Sequence, residues 1–171
     1  MFSKTPVLAL AALALSACAT QAPPPPVHYS GTPQEQWLQG QKAYEAWSAQ
    51  RRGWKTTASG LQYHRDKAVF NTAPKPAPGA TVTIHYVGRF IDGRTFDSSR
   101  ARNEPATFPL NRLIKGWQEG VPMMRVGETY SFVIPANLAY GDRTDRAPIP
   151  PGSTLLFEIQ LIAIPPDGKA G

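Results

Sequence analysis

Thr81-Val82-Thr83-Ile84-His85-Tyr86-Val87, then Asp92-Gly93, then Thr95-Phe96-Asp97 is the stretch on which the fold turns. In the first run Val82, Ile84 and Tyr86 point one way, and Thr81, Thr83 and His85 point the other. A period of two with one apolar side is the pattern of a strand that lays one face on a core. Asp-Gly accepts the positive φ that tight hairpin turns require. Strand, turn and strand therefore form an antiparallel pair. Working outward, Glu128 to Ile134 alternates again, with Tyr130, Phe132 and Ile134 on one face. Leu155, Phe157, Ile159 and Leu161 alternate in a last strand, and Leu61-Gln62-Tyr63 is a short one. Pro74 to Gly79 is a turn-rich link. Among the strands one short helical stretch is expected at about Arg112 to Glu119, where Leu113, Ile114 and Trp117 share a face by their spacing. The fold class is α+β: a curved antiparallel sheet, a half-barrel, wrapped around one short α-helix.

A longer helix precedes the sheet. Thr32 suits the N-cap, Pro33 the first helical position, and Glu35 completes a capping box. Trp37, Gly40, Ala43, Tyr44 and Trp47 fall on one side of the wheel, and Arg51-Arg52-Gly53 ends the helix. The stripe is expected to pack on the domain, because large apolar patches are rarely left exposed. Pairing with a second copy or a partner is the alternative. The oligomeric state thus stands open between a monomer and a dimer through this N-terminal helix.

The chain has 171 residues, 42% hydrophobic and 18% charged, which suits one ordinary domain with extra segments. The net charge of +6 comes from dispersed Lys and Arg, with Arg51-Arg52 the one adjacent Arg pair. No basic patch interleaved with aromatics is present, so nucleic acid is not expected as a partner. The single cysteine, Cys18, excludes a disulfide within the chain and a Cys-based metal cluster. Residues 1–17 carry one Lys, a short apolar run from Val7 to Leu15 and small residues before Cys18, as a cleaved secretory signal does. Leu15-Ser16-Ala17-Cys18 resembles the bacterial lipobox, which implies lipidation at Cys18 and a membrane anchor. Ala19, by resemblance to Gram-negative lipoproteins, implies a place on the outer membrane facing the periplasm. Residues 18–31 form a tether in which Pro23 to Pro26 favour extended polyproline II. The expected division is signal 1–17, tether 18–31, helical extension 32–58, domain 59–164 and flexible tail 165–171.

Six motifs follow one another in the domain. They are Ile84-His85-Tyr86-Val87-Gly88, Phe96-Asp97-Ser98-Ser99-Arg100 after Asp92-Gly93, Ile114-Lys115-Gly116-Trp117, Ala139-Tyr140-Gly141, Ile149-Pro150-Pro151 and Leu155-Leu156-Phe157-Glu158. In this order they resemble the FKBP family of peptidyl-prolyl cis-trans isomerases, in its bacterial lipoprotein form. The resemblance implies rotation of X–Pro bonds in extracytoplasmic polypeptides, assisting their folding, with proline-containing chains as substrates and macrolide inhibitors as ligands. Carried over, the catalytic pocket comprises Tyr86, Phe96, Asp97, Ile114, Trp117, Tyr140 and Phe157, with Leu113, Ile149 and Arg102 binding substrate. Trp117 is its floor, and the Ile114 N–H and the Tyr140 hydroxyl meet substrate carbonyls. Asp97, Arg102 and Tyr86 form a hydrogen-bonded group on the wall. Ala106 stands where some relatives have a bulky aromatic, implying a more open side. The loop between Tyr140 and Ile149 carries two Arg and two Asp instead of the histidine of some relatives. No cofactor and no metal are implied. His28, His64 and His85 have no ligand spacing, and no Gly-x-Ser-x-Gly elbow occurs. The alternative function on the same fold is a non-catalytic peptide-binding chaperone or interaction module.

Overall fold

The alternating stretch is the first part of a ten-residue strand, Thr81–Phe90, and every other strand of the site is placed by it. The computed structural model describes residues 29–69, 72–143, 145 and 148–166. The signal 1–17, Cys18, the proline run of the tether and residues 167–171 of the tail lie outside these. The elements are α1 (Pro33–Ala49), β1 (Lys55–Thr56), β2 (Gln62–Lys67), β3 (Thr81–Phe90), β4 (Thr95–Ser98), β5 (Ala106–Pro109), α2 (Lys115–Gly120), β6 (Thr129–Ile134) and β7 (Leu155–Ala163). The strands form one seven-stranded sheet in the order β1-β2-β6-β7-β3-β4, with β5 also paired to β3. All its pairings are antiparallel.

On one side β3 pairs with β7, from Thr83 opposite Ala163 to Phe90 opposite Leu155. On the other side it changes partner. Thr81 to Ile84 pair with β5, and Val87 to Arg89 pair with β4. Between the two, Ser99 bridges the gap. Its Oγ accepts the Tyr86 N–H at 2.7 Å, and its own N–H donates to the Tyr86 carbonyl at 3.1 Å. The backbone of Tyr86 thus stays satisfied at the change of partner, as a buried backbone must. The sequence reading missed β5 and the two-residue β1. Ala106-Thr107-Phe108-Pro109 is partly buried at every position, so it shows no alternation.

The inner face of the sheet holds the core, in which Leu61, Val82, Ile84, Leu110, Ile134, Leu155, Ile159 and Leu161 are fully buried. Helix α2 lies against β6 through Gly116. A Cβ there would come within 2.5 Å of Ile134 Cγ2, so only glycine allows the helix so close. The helix is shorter than expected. Leu110–Arg112 is a 3-10 turn, Ile114 is an extended N-cap (φ −61, ψ 150), and regular helix begins at Lys115. Leu113 and Ile114 therefore reach the site from extended backbone and not from a helical face.

The capping box of α1 forms: Thr32 Oγ1 accepts the Glu35 N–H at 3.3 Å, and Glu35 Oε2 accepts the Thr32 N–H at 2.7 Å. The helix packs on its own domain along the edge of the aromatic stripe where Trp37 and Tyr44 lie one turn from the most buried residues. Gln41 and Ser48 are its buried residues, while Trp37, Gly40, Ala43, Tyr44 and Trp47 are half-buried. The reason is chemical. The surface it meets presents polar groups: Gln41 Oε1 accepts the Thr154 N–H at 2.9 Å, and Thr154 Oγ1 donates to Glu45 Oε1 at 2.6 Å. Ser48 Oγ donates to Gln62 Oε1, and Trp37 Nε1 donates to the Pro151 carbonyl at 3.1 Å. Past the helix end the Arg51 guanidinium lies 3.7 Å from the Trp54 ring centroid and 4.9 Å from that of Trp47. Among the described residues no helix is long and apolar enough to cross a membrane.

Candidate active site

Strands β3, β4, β5 and β7, helix α2 and the turn after β6 converge on a cavity of about 300 Å³. Its rings meet mostly edge to face, the arrangement that the aromatic quadrupole favours. Trp117, 5% exposed, stands at the bottom. Its ring centre lies 5.3 Å from that of Tyr86 at 74° and 5.0 Å from that of Phe157 at 86°. Phe96 meets Phe157 at 5.6 Å and 90°. Gly88 on β3 makes room for these walls, since a Cβ there would lie 2.7 Å from Phe96 Cζ and 2.8 Å from Phe157 Cε1. The Trp117 Nε1–H is buried and has no acceptor among the described residues.

One wall is polar. Asp97 accepts from the Tyr86 hydroxyl at 2.5 Å and from Arg102 Nη1 at 2.6 Å, while Arg102 Nη2 donates to the Tyr86 oxygen at 3.0 Å. Burial pushes the Asp97 carboxyl up. The hydrogen bonds from Arg102 and Tyr86, with the Arg102 charge, outweigh it and hold the carboxyl below the ordinary range. Burial and the bond to Asp97 raise the Tyr86 hydroxyl. The hydrogen bonds to Asp97 and Tyr86 raise Arg102 further still. At neutral pH the group is therefore a carboxylate, a phenol and a guanidinium.

The mouth is made by Ile114 and Tyr140. The Ile114 carbonyl caps α2, accepting from Trp117 N at 2.9 Å and Gln118 N at 3.1 Å. Its N–H has no acceptor among the described residues. Tyr140 follows the 3-10 turn Ala136–Leu138 and is held by the Gly141 N–H, which donates to the Ala136 carbonyl at 2.8 Å.

Of the expected site residues, Tyr86, Phe96, Asp97, Leu113, Ile114, Trp117, Tyr140 and Phe157 all line this cavity. Arg102 reaches it through Asp97. Ile149 is half-buried against the core and is not on the lining. Cys18 lies outside the described residues. Two lining residues escaped the sequence reading, Phe108 and Arg112. Phe108 sits two residues beyond Ala106 on β5 and faces Tyr86 at 6.5 Å between ring centres. A period-two reading of 106 and 108 would have found it. Arg112 carries no comparable signal.

The profile of the FKBP-type peptidyl-prolyl cis-trans isomerases matches residues 73–162. The FKBP-type peptidyl-prolyl cis-trans isomerase FkpA of Aeromonas hydrophila is 46% identical over 121 residues, covering 71% of this chain and 44% of that protein. The outer membrane protein MIP of Legionella longbeachae is 44% identical over 106 residues, covering 62% and 45%. The crystal structure of a peptidyl-prolyl cis-trans isomerase from Pseudomonas syringae pv. tomato superimposes with a TM-score of 0.70 at 33% identity, covering 80% of this chain and 98% of that one. The chain spans about half the length of the curated relatives it matches.

Proposed function

From a chain that belongs to the FKBP-type peptidyl-prolyl cis-trans isomerase family, we propose an enzyme that rotates X–Pro bonds in the aromatic cavity over Trp117. The observation that carries this reading is the edge-to-face box of Tyr86, Phe96, Trp117 and Phe157, open at a mouth where the Ile114 N–H has no acceptor. The uncatalysed rotation crosses a barrier of about 18–20 kcal/mol, because amide resonance is lost at the twisted geometry. Charge then withdraws from the carbonyl oxygen, and the twisted amide is less polar than the planar one. A dry aromatic cavity favours the less polar form. The proline ring fits over Trp117, the Ile114 N–H donates to a flanking carbonyl, and the Tyr140 hydroxyl meets a second. Those contacts hold the peptide in a turn that suits the twist. Asp97, fixed as a carboxylate by Arg102 and Tyr86, shapes the wall. The step needs no nucleophile, proton transfer or cofactor.

The substrates in this reading are extracytoplasmic proteins, whose folding the enzyme assists, and macrolides compete for the same cavity. The signal at 1–17 and the lipobox at Cys18 support a lipid anchor in the envelope of a Gram-negative bacterium, on the outer membrane facing the periplasm. Palmitate labelling should vanish in Cys18→Ser; persistent labelling would reject the anchor. The extension 32–58 then stands between tether and domain, and the domain runs 59–164. The deciding measurement for the reaction is a tetrapeptide X-Pro isomerisation assay on the purified chain from residue 19. Acceleration that a macrolide abolishes supports the enzyme. Peptide binding without acceleration would leave a non-catalytic chaperone on the same fold.

A further inference from the structure

A second groove opens from the mouth of the aromatic cavity. Arg112, Leu113, Ile114 and Tyr140 line both. Beyond them the groove is walled by Lys115, Gln118 and Arg143, and it encloses about 350 Å³. Among the described residues three of its side chains are cationic and none is anionic. Arg112 and Lys115 are exposed, and neither is in an ion pair among the described residues. Arg143 is gripped by Asp145 through Nε at 3.0 Å and Nη2 at 2.8 Å, which spends part of its charge. Gln118 Nε2 donates to the Leu113 carbonyl at 2.7 Å, tying α2 to the extended pair Leu113–Ile114 between the two hollows. Asp97, the anion of the neighbouring cavity, is already engaged by Arg102 and Tyr86.

We propose that this groove is a subsite for an acidic side chain flanking the substrate X–Pro pair, so that the enzyme favours X–Pro pairs with Asp or Glu on one side. The proposal rests on the isomerase reading, because the substrate chain must lie across the aromatic cavity for its neighbours to reach the groove. A carboxylate entering there meets two cations, Arg112 and Lys115, that no anion among the described residues pairs with, while Asp145 is held by Arg143. The planar fork of Arg112 suits a carboxylate's two oxygens, and Lys115 adds a mobile point charge. Both cations face water, so the gain is a preference and not an absolute requirement. It should be about threefold to tenfold at low ionic strength, and screened away as salt shortens the Debye length. The net charge of +6 acts in the same direction on the approach of acidic clients.

The test uses labelled hexapeptides with a central Leu-Pro, carrying Glu, Gln or Lys at one flanking position at a time. Their Kd and their isomerisation kcat/KM are measured on the full chain at low and high salt. At one flanking position Glu should exceed Gln by about threefold to tenfold at low salt and lose its advantage at high salt. Arg112→Gln with Lys115→Gln should bring the Glu-to-Gln ratio to near one, and Lys115→Glu should shift preference toward the Lys peptide. Both positions are exposed, so melting temperature should not move. Equal Glu and Gln values at every position at low salt would overturn the proposal. So would a Glu preference that survives the double substitution. Lack of turnover on every peptide would instead overturn the isomerase reading, and the Kd ratios would then decide the subsite alone.

Discussion

Asp97 is a carboxylate on a wall otherwise built of rings, and its three-way contact with Tyr86 and Arg102 makes the wall polar but closed. The Asp97 and Arg102 side chains are 41% and 52% exposed, so their ion pair adds little stability by itself. The buried partner is Tyr86, at 5%. Asp97→Leu takes away the acceptor of its hydroxyl, which should cost about 1 kcal/mol in chemical denaturation. Turnover should fall as well, because the wall loses its charge. Adding Arg102→Leu should not restore turnover. Wild-type stability and turnover in Asp97→Leu would show that the group has no role. The acid limb follows from the same contacts. A folded carboxyl held below its ordinary value of 3.8 stabilises the native state fully above that value and loses the effect as pH falls through the lower folded value. Stability should therefore decline below about pH 4, and Asp97→Asn should flatten part of that decline in acid titrations followed by tryptophan fluorescence. Tyr140→Phe probes a single hydroxyl. Its expected cost is one hydrogen bond, about 0.5–1.5 kcal/mol, read as roughly a twofold to tenfold loss in kcat/KM with an unchanged melting temperature.

At the scale of elements, the site depends on how closely α2 approaches β6. Gly116→Ala would force a Cβ to within 2.5 Å of Ile134 Cγ2. The helix must move off the sheet, at about 1–3 kcal/mol, and it carries Trp117 with it. Peptide affinity should fall along with stability, whereas an exposed substitution on the same helix, Lys115→Gln, should spare the melting temperature. Equal affinity in Gly116→Ala and the wild type would mean that Trp117 does not set the floor. The elements read well from sequence were those with one wet and one dry face. β7 alternates because Leu155, Phe157, Ile159 and Leu161 face the core and their neighbours are half-buried, and β6 alternates only as far as Phe132, since Val133 is buried on its other face. The α1 start was legible because capping chemistry is local. β5 was not, since its four residues are all partly buried and its partner lies more than twenty positions away. The start of α2 was also misjudged. Leu113 and Ile114 have helical spacing to Trp117, yet a 3-10 turn ahead of them and the demands of the cavity mouth hold them extended. In the site, single aromatics are indistinguishable from core residues, so only the order of motifs marked them. Arg112 had neither a motif nor a period to reveal it.

At the scale of the whole molecule, α1 is coupled to the cavity through the loop that leads from β6 into β7. It binds Pro151 and Thr154, and Gly152 N–H donates to the Gly141 carbonyl at 2.9 Å, next to Tyr140. The same helix holds Gln62 at the start of β2 through Ser48 Oγ and through the Glu45 carbonyl, which accepts from Gln62 Nε2 at 2.8 Å. Helix and sheet should therefore unfold in one transition. Deleting residues 19–52 returns those polar groups to water, where each hydrogen bond was worth roughly 0.5–1.5 kcal/mol net. The core of the half-barrel is untouched, so the truncated chain should fold, but with a melting temperature lowered by about 10 °C or more, from five lost hydrogen bonds at 4–8 °C per kcal/mol. Its kcat/KM should fall moderately through a higher KM, because the loop beside Tyr140 loses its brace while Trp117 and the ring walls stay in place. Sedimentation should find a monomer before and after the deletion, since the buried face of α1 is already occupied by its own domain. A dimer that the deletion converts to a monomer would instead assign the half-buried aromatic side of α1 to a second copy. A truncated chain with unchanged melting temperature and unchanged KM would show that these contacts neither stabilise the domain nor steady the loop.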